Sequence, residues 1–327
     1  MSRPRIRFLS TGGTLGMLPG SPGPLAPSSV AANVLAYVQG IERELDVSVE
    51  SLWNLDSSDL SPAHWDALAQ AVAARMDGVE GIVVVHGTDT MAWTASALSL
   101  ALRGLAKPVV FTGAQRPIAS VRTDAPENVV NAALCAAMDI PEVSLYFGRY
   151  LFRGNRSTKT SIQSYEAFES PDCPPLVEMG VEVRPIKTPL RPAGPLRLEL
   201  GFDSRVAIVP VVPGAGPAML EAAVERGMRG VVVQGFGAGN VPQEGWPGAL
   251  AAAVGAGVAV VVHSHCHRGK VDLRAYVGGR AALAAGVMSS GTMTLECATV
   301  KLMHGLARAQ GEELRAYYTG DVAGEGA

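Results

Sequence analysis

The chain predicts an α/β protein of two domains, a larger N-terminal one with a mostly parallel sheet and a smaller C-terminal one with a parallel sheet. Three observations carry this. Short β-branched runs recur along the whole length, each is almost continuously apolar, and longer helix-patterned stretches separate them. Continuous apolar strands alternating with helices are the mark of parallel sheets covered on both faces.

The strand patterns lie at residues 6–10, 82–86, 109–112 and 143–147, then at 206–212, 231–234 and 258–263. Helical patterns occupy residues 62–76, 94–103, 126–138, 218–226 and 294–309. "SPAHW" opens the first helix, with Ser61 as N-cap and Pro62 at the first helical position. The longest apolar run, residues 249–262, is broken by Gly255 and Gly257. It is too short for a membrane helix, which needs about 18 residues or more, and reads as helix, turn and strand. Proline and charge without periodicity mark residues 184–205. The expected division is therefore 1–190, a linker at 191–205, and 206–327.

With 327 residues, 48% hydrophobic and 17% charged, each domain can bury a core of its own. A formal net charge of -3 with no basic block argues against nucleic acid or an acidic membrane surface as partner. Cys135, Cys173, Cys266 and Cys297 are scattered, as reduced thiols would be. The N-terminus has no signal-like apolar region. A cytoplasmic protein is expected.

Sites in open parallel sheets form outside the carboxyl ends of the strands. Four polar clusters stand there: "STGGT" at 10–14, "NLDSSDL" at 54–60, "HGTDTM" at 86–91 and "FTGAQRP" at 111–117. Each alone is most simply a capped turn. Together they crowd threonine and serine hydroxyls with carboxylates. A threonine hydroxyl becomes a nucleophile once a base or a hydrogen-bond network takes its proton. "NRSTKT" adds Lys159, and a desolvated lysine beside hydroxyls parts with its proton more readily; its plainer reading is an exposed loop lysine. Helix N-termini after these turns offer N–H groups to an oxyanion or carboxylate, and Asp89 could hold an ammonium. The set suits acyl transfer on a small zwitterionic amide.

Two other motifs are weaker. "QGFGAGN" at 234–240 contains GxGxG, but Val241 replaces the third glycine of a dinucleotide loop and no acidic partner follows. In "HSHCH", His263, His265 and His267 share a strand face, yet no carboxylate or cysteine pair completes a metal site. Neither metal nor cofactor is expected. His64, His86 and His304 read as packing or capping residues.

The motifs "TGGT" and "HGTDTM", supported in order by "LDSSDLSPAHW", "PVVFTGAQRP", "RTDAPENVVNA", "RGNRSTKT", "FESPDCPPLVEMG", "FGAGNVPQ" and "TLECATVKLMHGL", span nearly the whole chain. In these the chain resembles the asparaginase/glutaminase family, and within it the bacterial cytoplasmic type I L-asparaginases. The resemblance implies a cofactor-free homodimer or homotetramer. It further implies hydrolysis of L-asparagine to L-aspartate and ammonia through a covalent acyl-threonine.

Matched residue by residue, Thr14 is the implied first nucleophile, and Thr88, Asp89 and Lys159 form the second triad. Asp56, Ser57 and Ser58 are implied to hold the substrate's α-carboxylate and α-amino groups, with Asp89 on the amino group. Ala114 would face the side-chain amide, and Asn240 would reach the site of a neighbouring subunit.

Three positions depart from the family pattern: Pro24 replaces the loop tyrosine that helps activate the nucleophile, Thr292 stands where relatives usually have aspartate, and Gln234 where some allosteric relatives have arginine. Proline brings no hydroxyl and fixes φ, so asparagine turnover is expected to be modest, with acylation limiting. The alternatives are a glutaminase, an amidase on charged tRNA, or an amino-acid-binding protein that has lost its activator. The tRNA-dependent relatives place an extra domain ahead of the nucleophile, and here Thr14 follows the start closely.

Overall fold

The computed structural model describes residues 2–13, 15, 17–19, 25–27 and 40–326. The chain forms two units, Met1–Leu200 and Gly201–Ala327. The first is built on an eight-stranded sheet in the order Val183–Pro185, Val177–Met179, Tyr150–Arg153, Val143–Phe147, Val109–Thr112, Gly81–Val85, Arg5–Gly12, Asp46–Leu55. The last five of these run parallel to one another. The first three join antiparallel, so the sheet is mixed at one edge.

Gly81–Val85 is buried at all five positions, as a strand covered on both faces must be. Ile6, Phe8, Val83, Val85 and Val110 pack against Ala125, Val129, Ala132 and Ala136 of α3 (Ala125–Ala136). Helices α1 (Pro62–Ala73) and α2 (Met91–Ala101) pack on each other, and α2 also lies on the central strands. In α1 the His64 ring caps the first turn, its Nδ1 accepting the Ser61 N–H at 3.1 Å.

Two of the differences from the sequence expectation have a clear physical cause. Helix α2 starts at Met91 and stops at Ala101, because Leu102–Arg103 leaves the helix to pair with Arg197–Leu198. Asp46–Leu55 is an edge strand that escapes a search for continuous apolar runs, since its apolar residues alternate with polar ones.

Residues 191–200 fall within the first unit. Leu190 N donates to Glu142, itself paired with Arg153 at 2.6 Å in the interior, and Glu199 N bonds to Ala101 O.

The second unit has a parallel sheet in the order Val206–Pro210, Gly230–Gly235, Ala259–Ser264, Met288–Ser289. Alternation divides its central strands between two cores. Val231, Val233, Val260 and Val262 face α4 (Ala218–Glu225), α5 (Trp246–Gly255) and α6 (Val277–Ala284). Val232 and Val261 face α7 (Leu295–Leu306) and α8 (Gly311–Thr319).

Candidate active site

Four neighbouring parallel strands of the first unit end side by side, and the turns after them are the four polar clusters. Their backbones interlock. A Cβ on Gly13 (φ +90°) would stand 2.5 Å from the Cα and N of Gly87, and one on Gly87 would stand 2.6 Å from Ser57 Cβ and Oγ. No real Cβ tolerates such distances, so both positions require glycine. Hydrogen bonds tie the same turns: Gly13 N to Leu55 O at 3.2 Å, Thr11 Oγ1 to Val85 O at 3.1 Å, and Thr90 Oγ1 to Ser57 O at 2.8 Å.

Asp56 caps the 3-10 turn Ser57–Asp59, its Oδ1 accepting the Ser58 N–H at 2.9 Å and the Ser58 hydroxyl at 2.8 Å. Ser57 is buried beneath Gly87. Thr14, and the loop residue Pro24, lie outside the described residues. The two neighbours of Thr14 are described: Gly13 lies against Gly87, and Leu15 is buried with its carbonyl accepting from Ile118 N.

Lys159 comes from 70 residues further along, on the short strand Thr158–Lys159 paired with Phe168–Glu169. Its Nζ donates to Thr88 Oγ1 at 2.8 Å and to Asp89 Oδ1 at 2.7 Å. The lysine side chain is 15% exposed and the Asp89 side chain 70%, so the pair opens to solvent on the carboxylate side. The exposed-lysine alternative for Lys159 fails here.

Because Nζ donates, the Thr88 oxygen accepts and the Thr88 proton is free to point elsewhere. It faces Gln115 Oε1 at 3.5 Å. Ala114 is buried one residue before Gln115. The Asp124 carboxylate holds this turn, accepting from Gln115 N at 2.9 Å, Arg116 N at 3.2 Å and Asn128 Nδ2 at 3.0 Å. Asn128 also donates to Gly113 O. "RTDAPENVVNA" is thus the support of "TGAQ".

His86 is fully buried, and burial pushes its imidazole down to about 4. Its Nδ1 lies 2.7 Å from Gly87 O; a carbonyl only accepts, so the neutral ring carries its proton on Nδ1. The ring steadies the carbonyl just before Thr88.

The first unit therefore brings together Asp56, Ser57, Ser58, Thr88, Asp89, Ala114 and Lys159. The family model described as asparaginase, N-terminal, matches residues 5–191, and that of the glutaminase/asparaginase C-terminal domain matches residues 205–317. The chain belongs to the asparaginase family. It is 36% identical over 315 residues to L-asparaginase 1 of Escherichia coli K12, covering 94% of this chain and 93% of that one. The thermostable L-asparaginase from Thermococcus kodakarensis superposes with a TM-score of 0.92 at 32% identity, covering 98% of both chains. L-asparaginase I from Vibrio cholerae O1 biovar eltor gives 0.90 at 34%, covering 99% of both. The family's amidohydrolase chemistry matches the acyl transfer that the polar turns suggested.

Asn240 lies in the second unit, in a tight turn where Asn240 N bonds to Phe236 O at 2.7 Å and Phe236 N to Asn240 O at 2.8 Å. Gly278 of α6 leaves room for its side chain; a Cβ there would come within 2.6 Å of Asn240 Oδ1. In "HSHCH" the His263 ring meets Ser290 Oγ and the His265 ring meets Gly235 O. Among the described residues no three His, Cys, Asp or Glu side chains gather as a metal site, and no helix is long and apolar enough to cross a membrane. Gln115 lies within the "FTGAQRP" motif, and the sequence alone assigns it no role. The available signal was a long amide side chain next to Ala114 in a turn at a strand end.

Proposed function

We propose that this chain is an L-asparagine amidohydrolase, converting L-asparagine and water to L-aspartate and ammonia through an acyl group on Thr14. The observation that carries the reading is the Lys159–Thr88–Asp89 contact beside the capped Asp56–Ser58 turn, in a chain of the asparaginase family.

In this reading the substrate lies across the four turns. Its ammonium meets the exposed Asp89 carboxylate, and its α-carboxylate the Ser57–Ser58 turn. The side-chain amide N–H donates to the Ala114 carbonyl. The Thr14 hydroxyl attacks the amide carbon and ammonia departs with a proton. Water then attacks the acyl-threonine and aspartate leaves, with Thr88 and Lys159 relaying protons from the opposite side. Preorganised donors and acceptors of this kind lower the barrier most where charge develops. In this reading the reacting groups are the chain's own side chains and backbone together with a water molecule.

The support for Thr14 is positional: its neighbour Gly13 touches Gly87, one residue before Thr88. Reduced cysteines and the family resemblance favour the cytoplasm, and the same resemblance favours a homodimer or homotetramer with Asn240 serving a neighbour's site. An active monomer in sedimentation would remove that last role.

Ammonia release from L-asparagine and L-glutamine tests the reading. Asparagine is expected to be the better substrate, and Thr14→Ala to abolish release without unfolding the chain. Tight asparagine binding with no turnover would make this a binding protein; a preference for glutamine would make it a glutaminase, the other activity in the matched C-terminal family's description.

A further inference from the structure

We infer that Gln115 is a positioning residue for this reaction: its side-chain amide bridges the Thr88 hydroxyl to the segment that carries Lys159. The inference rests on the asparagine hydrolysis proposed above and adds a group to it.

The amide is fully engaged. Nε2 donates to Ser161 O and to Ser164 O, each at 3.1 Å, which uses both of its hydrogens. This decides which way the amide faces. Turned over, Oε1 would confront two carbonyl oxygens, so it must face Thr88 Oγ1, where it lies at 3.5 Å. The consequence is chemical. Lys159 occupies the Thr88 oxygen as a donor, and Gln115 Oε1 offers that hydroxyl's proton a second acceptor. The rotamer of the Thr88 O–H is thereby set by a residue that need not touch the substrate.

The segment itself is a compact turn. Gln163 N and Ser164 N donate to Ser161 Oγ, Glu166 N donates to Ser164 Oγ, and Thr160 N bonds to Ala167 O. Besides Lys159 itself, side-chain hydrogen bonds of Gln115 and Tyr165 tie it to the rest of the first unit among the described residues, the Tyr165 hydroxyl donating to Arg122 O at 3.1 Å. Of these two, Gln115 also faces Thr88. Its own backbone is clamped by the buried Asp124 carboxylate, so the bridge has a rigid base.

The test compares Gln115→Met, which keeps length and removes every side-chain hydrogen bond, with Tyr165→Phe, which cuts the Tyr165 tie. Asparagine hydrolysis and the 13Cε NMR signal of Lys159, identified with Lys159→Arg, are read in each. Gln115→Met is expected to lower kcat roughly tenfold to a hundredfold, the scale of a small misplacement of a reacting group. KM should stay within about threefold, and the Lys159 signal should move. Tyr165→Phe should do much less to both. If Gln115→Met fails to fold, Gln115→Glu, which keeps the oxygen and loses the donors, takes its place.

Unchanged kcat, an unchanged Lys159 signal, or an equal loss in Tyr165→Phe each overturns the inference. So does a rise in KM as large as the fall in kcat, which would mean that Gln115 binds substrate. Should the wild type release no ammonia from asparagine, the proposed function fails, and the Lys159 signal alone decides whether Gln115 holds the lysine.

Discussion

Lys159 shows how much a single side chain gains from its surroundings. In the sequence it is one polar residue in "NRSTKT", and solvent is its default fate. The strand pair Thr158–Lys159 and Phe168–Glu169 instead carries it to Thr88 and Asp89. Asp89 is largely exposed, so the ion pair contributes little to stability, as surface pairs generally do. Its value is geometric. Lys159→Met should therefore leave the melting temperature nearly unchanged while lowering kcat by about 10²-fold or more, in line with general acid–base contributions. Full activity in that variant would reduce Lys159 to a loop lysine.

At the scale of elements, the site is a set of strand-end turns whose backbones touch. Gly87→Ala should test this. The added methyl meets Ser57 at 2.6 Å, with Gly13 Cα at 3.4 Å behind it, so the turns must separate. A loss of roughly 1–3 kcal/mol in chemical denaturation is expected, as for overpacked interiors, together with a large loss of activity. The comparison is Gly248→Ala in α5, where nothing lies within 4 Å; there helix propensity predicts a gain of about 0.5–1 kcal/mol. Equal stability in both variants would mean that the turns can slide apart freely. Much of this level was legible beforehand. The glycines, the Ser61 start of α1 and the apolar central strands all follow from local chemistry. The edge strand Asp46–Leu55 did not, because half-buried alternation in a charged stretch carries a faint signal.

The whole molecule responds to acid through buried histidines. Burial holds His86 and His263 down to about 4, below the ordinary 6.5. Between those values the unfolded chain binds protons that the folded chain refuses, so stability is present above about pH 6.5 and falls as pH drops toward 4. For the fully buried His86 the loss is on the order of 3 kcal/mol. Urea denaturation at a series of pH values should show the decline, and His86→Gln should flatten its share. An identical pH slope in that variant would show that the ring is protonated without unfolding. His86 and His263 lie in different units, so the effect is distributed over both.

By itself the sequence determined the α/β class, two domains and the polar turns at the strand ends. These depend on hydrophobic period and on glycine, proline and cap chemistry, which act over a few residues and are written locally. Only the tertiary structure decided that Lys159 meets Thr88, that Asp124 clamps the turn of Ala114 and Gln115, and that residues 191–200 pack on the first unit. The same holds for the buried Lys301–Glu325 pair near the C-terminus, where a residue between glycines gives no sign of burial. Such contacts join residues far apart in the chain, and their partners are selected by sheet order and by what remains unpaired once the cores are filled. No local pattern encodes that selection.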